Sequence, residues 1–141
     1  MATVLVVEDE RDSRELLART VRKGGHTAVI AANGWEALLA LDEAPVDLVL
    51  LDLMMPGMDG PTFLSILRND QRRRSVPVVL VTALSEGDLL TSAARLGVSK
   101  CLKKAHYTPE DLLHTIDQVL AGRMMAQESI RGDLARGPMD N

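Results

Sequence analysis

Five short apolar runs recur along the chain, and each is followed by a stretch whose apolar residues repeat with helical spacing. This alternation constrains the fold more than any other feature. The runs are Thr3–Val7, Thr27–Ala31, Val46–Leu51, Val76–Val81 and the weaker Lys100–Lys103. They are too short for helices and most are rich in Val and Leu, as strands buried on both faces are. Residues 12–22 put Leu16, Leu17 and Val21 on one helical face, residues 34–44 do the same with Ala37, Leu38 and Leu41, and residues 60–69 with Phe63, Leu64 and Leu67. A fourth helix is expected over 86–95. A fifth opens at Thr108-Pro109-Glu110-Asp111, with Thr as N-cap, Pro at the first helical position and acids in the first turn. Its buried stripe would be Leu112, Leu113, Ile116, Val119 and Leu120. Strand and helix alternating five times predict an α/β fold, a parallel sheet with helices on both faces.

With 141 residues the chain can build one domain with a full core, but not comfortably two. The net charge of −4 gives no support for a nucleic-acid surface, which needs a basic face. The run Arg72-Arg73-Arg74 reads as a solvated loop rather than a phosphate-binding patch. Cys101 is the only cysteine, so neither an internal disulfide nor a Cys-based metal site is expected, which suits a reducing compartment. No apolar run approaches membrane-spanning length, and residues 1–7 lack the pattern of a secretion signal. The expectation is a cytoplasmic protein with no membrane partner; nothing in the sequence sets an oligomeric state. After Gly122 the large apolar side chains thin out, so residues 1–122 read as the folded domain and 123–141 as a tail or linker start, mobile or partly helical. His26, His106 and His114 have no metal-spaced partner, and Trp35 and Phe63 read as packing residues.

The polar residues at the strand ends carry the chemistry. They are Glu8 and Asp9, Asp52, Thr82 and Lys104. In a parallel sheet these ends share one edge, where open α/β sheets bind ligands. Three carboxylates gathered there repel one another and need positive charge. Lys104 supplies some, and a hard divalent cation such as Mg²⁺ would supply the rest. The set has the parts for phosphoryl transfer to a carboxylate, with Asp52 as nucleophile, Lys104 and the Thr82 hydroxyl on phosphoryl oxygens, and Glu8, Asp9 and Asp52 around the metal. Each side chain alone has an ordinary reading: helix-starting acids, a turn cap at Asp52 or Thr82, a solvated lysine. Their joint placement at four strand ends is what singles them out.

These residues resemble those of response-regulator receiver domains, the CheY-like phosphoacceptor modules of two-component signalling. The matching pieces are Val4–Asp9, Asp47–Gly60 with its Asp52-Leu53-Met54-Met55-Pro56-Gly57 core, Pro77–Ala83 and Leu102–Lys104. The resemblance covers residues 3 to about 121. It implies a flavodoxin-like, doubly wound five-stranded parallel sheet of order 2-1-3-4-5 with five helices. It also implies a phosphoryl group accepted on Asp52 from a phosphohistidine of a histidine kinase or phosphotransfer protein, Mg²⁺ bound partly by the Met54 carbonyl, and Thr82, Ala83 and Lys104 as the phosphoryl-contacting switch. A downstream protein target would read the switch. His106, Tyr107 and the turn from Arg14 to Leu17 correspond to kinase-contact positions.

Two departures stand out. The family's Lys-Pro is Lys104-Ala105 here, which implies either a trans bond or stored strain, because a non-proline cis peptide costs about 2.5–4 kcal/mol. Cys101 stands where the family has an aromatic ring that moves with the Thr, so this position lacks its ring. These departures motivate the alternative of a receiver-like interaction module that works without phosphorylation. An enzyme or nucleotide binder on this fold is disfavoured: no GxGxxG or GxxxxGK[ST] run is present, and Glu8-Asp9-Glu10 would repel a phosphate after the first strand. The expected protein is a phosphoacceptor rather than a turnover enzyme, apparently without an output domain.

Overall fold

In the computed structural model the backbone is described for residues 1–84 and 86–136, and side chains for 1–84 and 86–123. The elements run β1 (Thr3–Val7), α1 (Arg11–Lys23), β2 (Thr27–Ala31), α2 (Gly34–Glu43), β3 (Leu48–Leu51), α3 (Gly60–Asn69), β4 (Val78–Thr82), α4 (Asp88–Arg95), β5 (Lys100–Lys103) and α5 (Pro109–Arg136). All five strands are parallel, in the order β2-β1-β3-β4-β5. This is the doubly wound flavodoxin-like sheet that the resemblance implied.

Alternation along the strands explains why both faces are covered. Leu5, Val7, Val49, Leu51, Val78 and Leu80 point to one side, where they meet Ala37 and Leu41 of α2, Phe63, Leu64 and Leu67 of α3, and Ala93 of α4. Val4, Val6, Leu48, Leu50, Val79 and Val81 point to the other, against Leu17 and Val21 of α1 and Leu112 and Ile116 of α5. A period of two with apolar residues in both phases leaves no face for water, as a central parallel strand requires. β2 is less buried than β1, β3 and β4. It lies at the sheet edge, and Ile30 is half exposed.

Local signals set the helix ends. Glu10 caps α1, accepting from the Asp12 and Ser13 amides, and Asn33 caps α2 through the Glu36 amide at 2.9 Å. Thr108 and Asp111 cap α5 reciprocally, each side chain accepting from the other's backbone N–H.

Several boundaries and faces differ from expectation. β3 starts at Leu48 and β4 at Val78, because Val46 and Val76 are buried outside the ladder. α4 begins only at Asp88, after Gly87 at φ 116°. Leu16 is exposed rather than inward; the buried stripe of α1 runs through Leu17, Ala18 and Val21 instead. Trp35 is not a packing residue: it is 65% exposed on α2, one turn from the equally open Leu39, whereas Phe63 is fully buried. The arginine run is not uniformly solvated. Arg73 is nearly buried and pairs with Asp42 of α2 and, at 3.3 Å, with Asp70, while Arg72 stays open. In keeping with the partly helical option for 123–141, α5 runs past Gly122 to Arg136; each of its two glycines, Gly122 and Gly132, weakens a helix by only about 1 kcal/mol. The rest of the expected tail, residues 137–141, lies outside the described residues.

Candidate functional site

The carboxyl edge of the sheet collects the residues singled out by the sequence. Three of them, Glu8, Asp52 and Lys104, are fixed by main-chain bonds that extend the ladder beyond its strand. The Glu8 amide donates to the Ala31 carbonyl at 3.1 Å, that of Asp52 to Val7 at 3.0 Å, and that of Lys104 to Thr82 at 2.8 Å. Side-chain positions at this edge therefore follow from strand register rather than from loop conformation.

Glu8, Asp9 and Asp52 each offer a carboxylate oxygen, all within 4.8 Å of one another. Glu8 is fully buried and Asp52 nearly so, while Asp9 is open to solvent. Lys104 Nζ donates to Glu8 Oε1 at 2.7 Å and to Asp52 Oδ2 at 3.3 Å. The neighbouring Lys103 is exposed, so the cationic role falls to Lys104. Thr82 is fully buried at the end of β4, and its hydroxyl accepts from the Leu84 amide at 3.2 Å. Ala83 is exposed beside it. The Met54 amide donates to Asp52 Oδ1 at 3.2 Å, so the backbone turns back over the carboxylate. The loop that follows depends on Gly60: a Cβ there would stand 2.7 Å from the Leu53 Cα, closer than packing allows.

Burial drives the Glu8 carboxyl up to a pKa of about 7, with the Asp52 carboxylate pushing the same way and Lys104 pulling it down. Burial also works against the Lys104 charge, but its bond to Glu8 and the two nearby carboxylates outweigh that and raise its pKa. One oxygen, Glu8 Oε2, is buried with no hydrogen-bond partner among the described residues. A buried orphan carboxylate oxygen beside two other carboxylates is the donor set a hard, oxygen-seeking divalent cation fits.

Arg14 was not picked out as part of the site. Its Nη1 donates to the Glu8 and Asp9 carbonyls at 3.1 and 3.2 Å, so α1 braces the backbone that carries two of the acids. The resemblance placed it only at the start of a kinase-contact turn, not among the residues that shape the acid site. The two departures also resolve into geometry. Among the described residues no peptide bond is cis, so Lys104–Ala105 is trans, but Ala105 sits at φ 66°, in the left-handed region. Cys101 is exposed on β5, opposite Leu80 in register. Tyr107, the chain's only tyrosine, packs instead against the Val4, Val6 and Leu112 side of the core.

Residues 4–117 match the family of the response regulator receiver domain. The chain belongs to that family. It is 38% identical over 140 residues to the sensory transduction protein RegX3 of Mycobacterium tuberculosis, covering 99% of this chain and 60% of that protein. It is 32% identical over 117 residues to the phosphate regulon transcriptional regulatory protein PhoB of Escherichia coli, covering 83% of this chain and 51% of the other. The chain thus spans less than two thirds of the length of these relatives. Among solved structures, the chemotaxis protein CheY4 of Vibrio cholerae superposes with a TM-score of 0.78 at 29% identity, over 84% of this chain and 98% of CheY4. The receiver fold, its strand order and its place in two-component signalling are therefore shared. Among the described residues no helix is long and apolar enough to cross a membrane.

Proposed function

We propose that this receiver domain accepts a phosphoryl group on Asp52 from the phosphohistidine of a sensor kinase or phosphotransfer protein. In the transfer, an Asp52 carboxylate oxygen forms the new O–P bond as the N–P bond to the donor imidazole breaks, and the departing imidazole takes up a proton. Lys104, already 3.3 Å from Asp52, would turn from Glu8 to a phosphoryl oxygen, and the Thr82 hydroxyl would leave its turn to donate to another. Glu8, Asp9, Asp52 and the Met54 carbonyl would hold Mg²⁺. Bound there, the ion supplies the positive charge that offsets the acids and the incoming phosphoryl group. Arg14 keeps the Glu8–Asp9 backbone in place throughout. The protein works as a switch in the cytoplasm rather than as a turnover enzyme, with residues 1–122 as the receiver domain and 123–141 as a tail or linker start. Its output passes through protein contacts.

The observation that carries this reading is the convergence of three carboxylates and one amine at a single sheet edge, with one buried carboxylate oxygen left unpartnered. The test is to incubate the protein with a small acyl-phosphate donor, with and without Mg²⁺, and weigh it intact. A gain of one phosphoryl group that needs Mg²⁺ and disappears in Asp52→Asn is expected. No gain, or a gain retained in Asp52→Asn, contradicts it. Cys101 and Ala105 favour a second reading, a phosphorylation-independent interaction module, because the ring and the proline that normally join the switch are missing. A partner that binds equally with and without donor would favour that second reading.

A further inference from the structure

At the opposite edge of the sheet from the acids, a cavity of about 610 Å³ opens between the end of α3, the 74–77 loop, the α4–β5 turn and α5. Its walls include Arg68, Arg74 and Arg123, and among the described residues none of its lining is acidic. In a chain of net charge −4 that is a local inversion of sign. Val76, Pro77 and Val119 supply apolar wall. The size is that of a small-molecule site.

The three arginines differ in how far they are used. Arg68 is spent structurally: its guanidinium donates to the carbonyls of Arg74, Val76, Leu96 and Gly97 at 2.6–3.0 Å. Those partners are neutral, so its charge meets no carboxylate among the described residues. Arg123 donates through Nη1 to the Asp47 carbonyl at 2.7 Å, again a neutral acceptor, and its Nε is buried with no partner among the described residues. The Arg74 side chain makes no hydrogen bond or ion pair there either. Arg73, its neighbour in sequence, behaves oppositely and is paired with two carboxylates. The arginine run thus divides into one solvated, one structural and one cavity-facing residue.

Cations without anionic partners beside a buried unfilled donor favour an anion, and the apolar wall favours one with a hydrophobic body. We infer that this cavity binds a small organic oxyanion, its head group between Arg74 and Arg123 and its apolar part against Val76, Pro77 and Val119. The site is separate from the phosphoacceptor pocket and does not depend on it.

The probe is 8-anilino-1-naphthalenesulfonate, an aromatic sulfonate, titrated into the full chain with fluorescence readout. Saturable binding of one equivalent is expected, about tenfold weaker in Arg123→Gln and at least about fivefold weaker in Arg74→Gln, the loss of one charge-assisted contact in each case. Asp52→Asn should bind the probe as the unmodified protein does. N-phenyl-1-naphthylamine, which has the rings without the sulfonate, should bind at least about fivefold more weakly, and inorganic phosphate should compete. Among the described residues the Arg74 side chain holds no other part of the fold, so Arg74→Gln keeps the test valid if Arg123→Gln fails to fold. Equal probe affinity in the Arg74→Gln and unmodified proteins, or equal affinity for the uncharged ring compound, would overturn the proposal.

Discussion

Lys104 sits closer to Glu8 than to Asp52: its ammonium donates to Glu8 Oε1 at 2.7 Å and to Asp52 Oδ2 at 3.3 Å. Without a metal or phosphoryl group, the amine therefore spends itself mainly on the most buried acid. Among the described residues, Asp52, the proposed acceptor, keeps an oxygen that receives only the Met54 amide. This is a site held in reserve, with the lysine parked on the residue that most needs neutralising.

Glu8 should be a pH-dependent liability in the metal-free protein. Its folded pKa of about 7 lies above the ordinary 4.5, so between those values the folded carboxyl holds a proton that the unfolded one has released. Stability then falls as pH rises through that window and levels off above it. Glu8→Gln removes the penalty, offset partly by the lost Lys104 ion pair. Urea denaturation in EDTA should find the variant more stable than the parent at pH 8, by on the order of 1–3 kcal/mol. The difference should shrink towards pH 4.5. The same proton competes with a cation, so Mg²⁺ affinity should weaken as pH drops below about 7 and should lose that slope in Glu8→Gln.

Arg14→Ala should weaken Mg²⁺ binding without unfolding the protein. Among the described residues its guanidinium is bonded only to the Glu8 and Asp9 carbonyls, so its loss frees the acid-bearing backbone. A drop in affinity of roughly 3- to 10-fold by calorimetry is expected, with partial recovery in Arg14→Lys. An unchanged affinity would assign Arg14 to the surface.

Ala105 at φ 66° pays for a conformation that glycine adopts freely. Ala105→Gly should stabilise the fold by roughly 0.5–1 kcal/mol, read as a higher urea midpoint at an unchanged slope. Ala105→Pro, which would restore the family's dipeptide, should destabilise it, because proline holds φ near −65°.

What could be read from the letters and what could not divide along a physical line. Strands buried on both faces betray themselves by unbroken apolar runs, and Val4–Val7, Leu48–Leu51 and Val78–Val81 are nearly dry. Parallel pairing brings their ends to one edge, so Glu8, Asp52, Thr82 and Lys104 could be grouped before any coordinates. Thr108 with Asp111 was equally legible, because a cap is a local bond. Arg68 was not. Its four carbonyl partners lie as far as 29 residues away, and nothing in its neighbourhood distinguishes it from the solvated arginines that follow. Leu16 and Trp35 failed for a related reason: helical spacing tells which residues share a face, but not which of two apolar edges meets the sheet.

The central claim is that Asp52 is the group that becomes phosphorylated, in a pocket shared with Glu8 and Asp9. The direct measurement is to phosphorylate the protein with an acyl-phosphate donor and Mg²⁺, reduce the product with borohydride, and map the peptides by mass spectrometry. An aspartyl phosphate is reduced to homoserine, so the account predicts homoserine at position 52 and nowhere else, and none when Mg²⁺ is withheld. Homoserine at Asp9 or another acid, or none at all in protein that has gained a phosphoryl group, would contradict it.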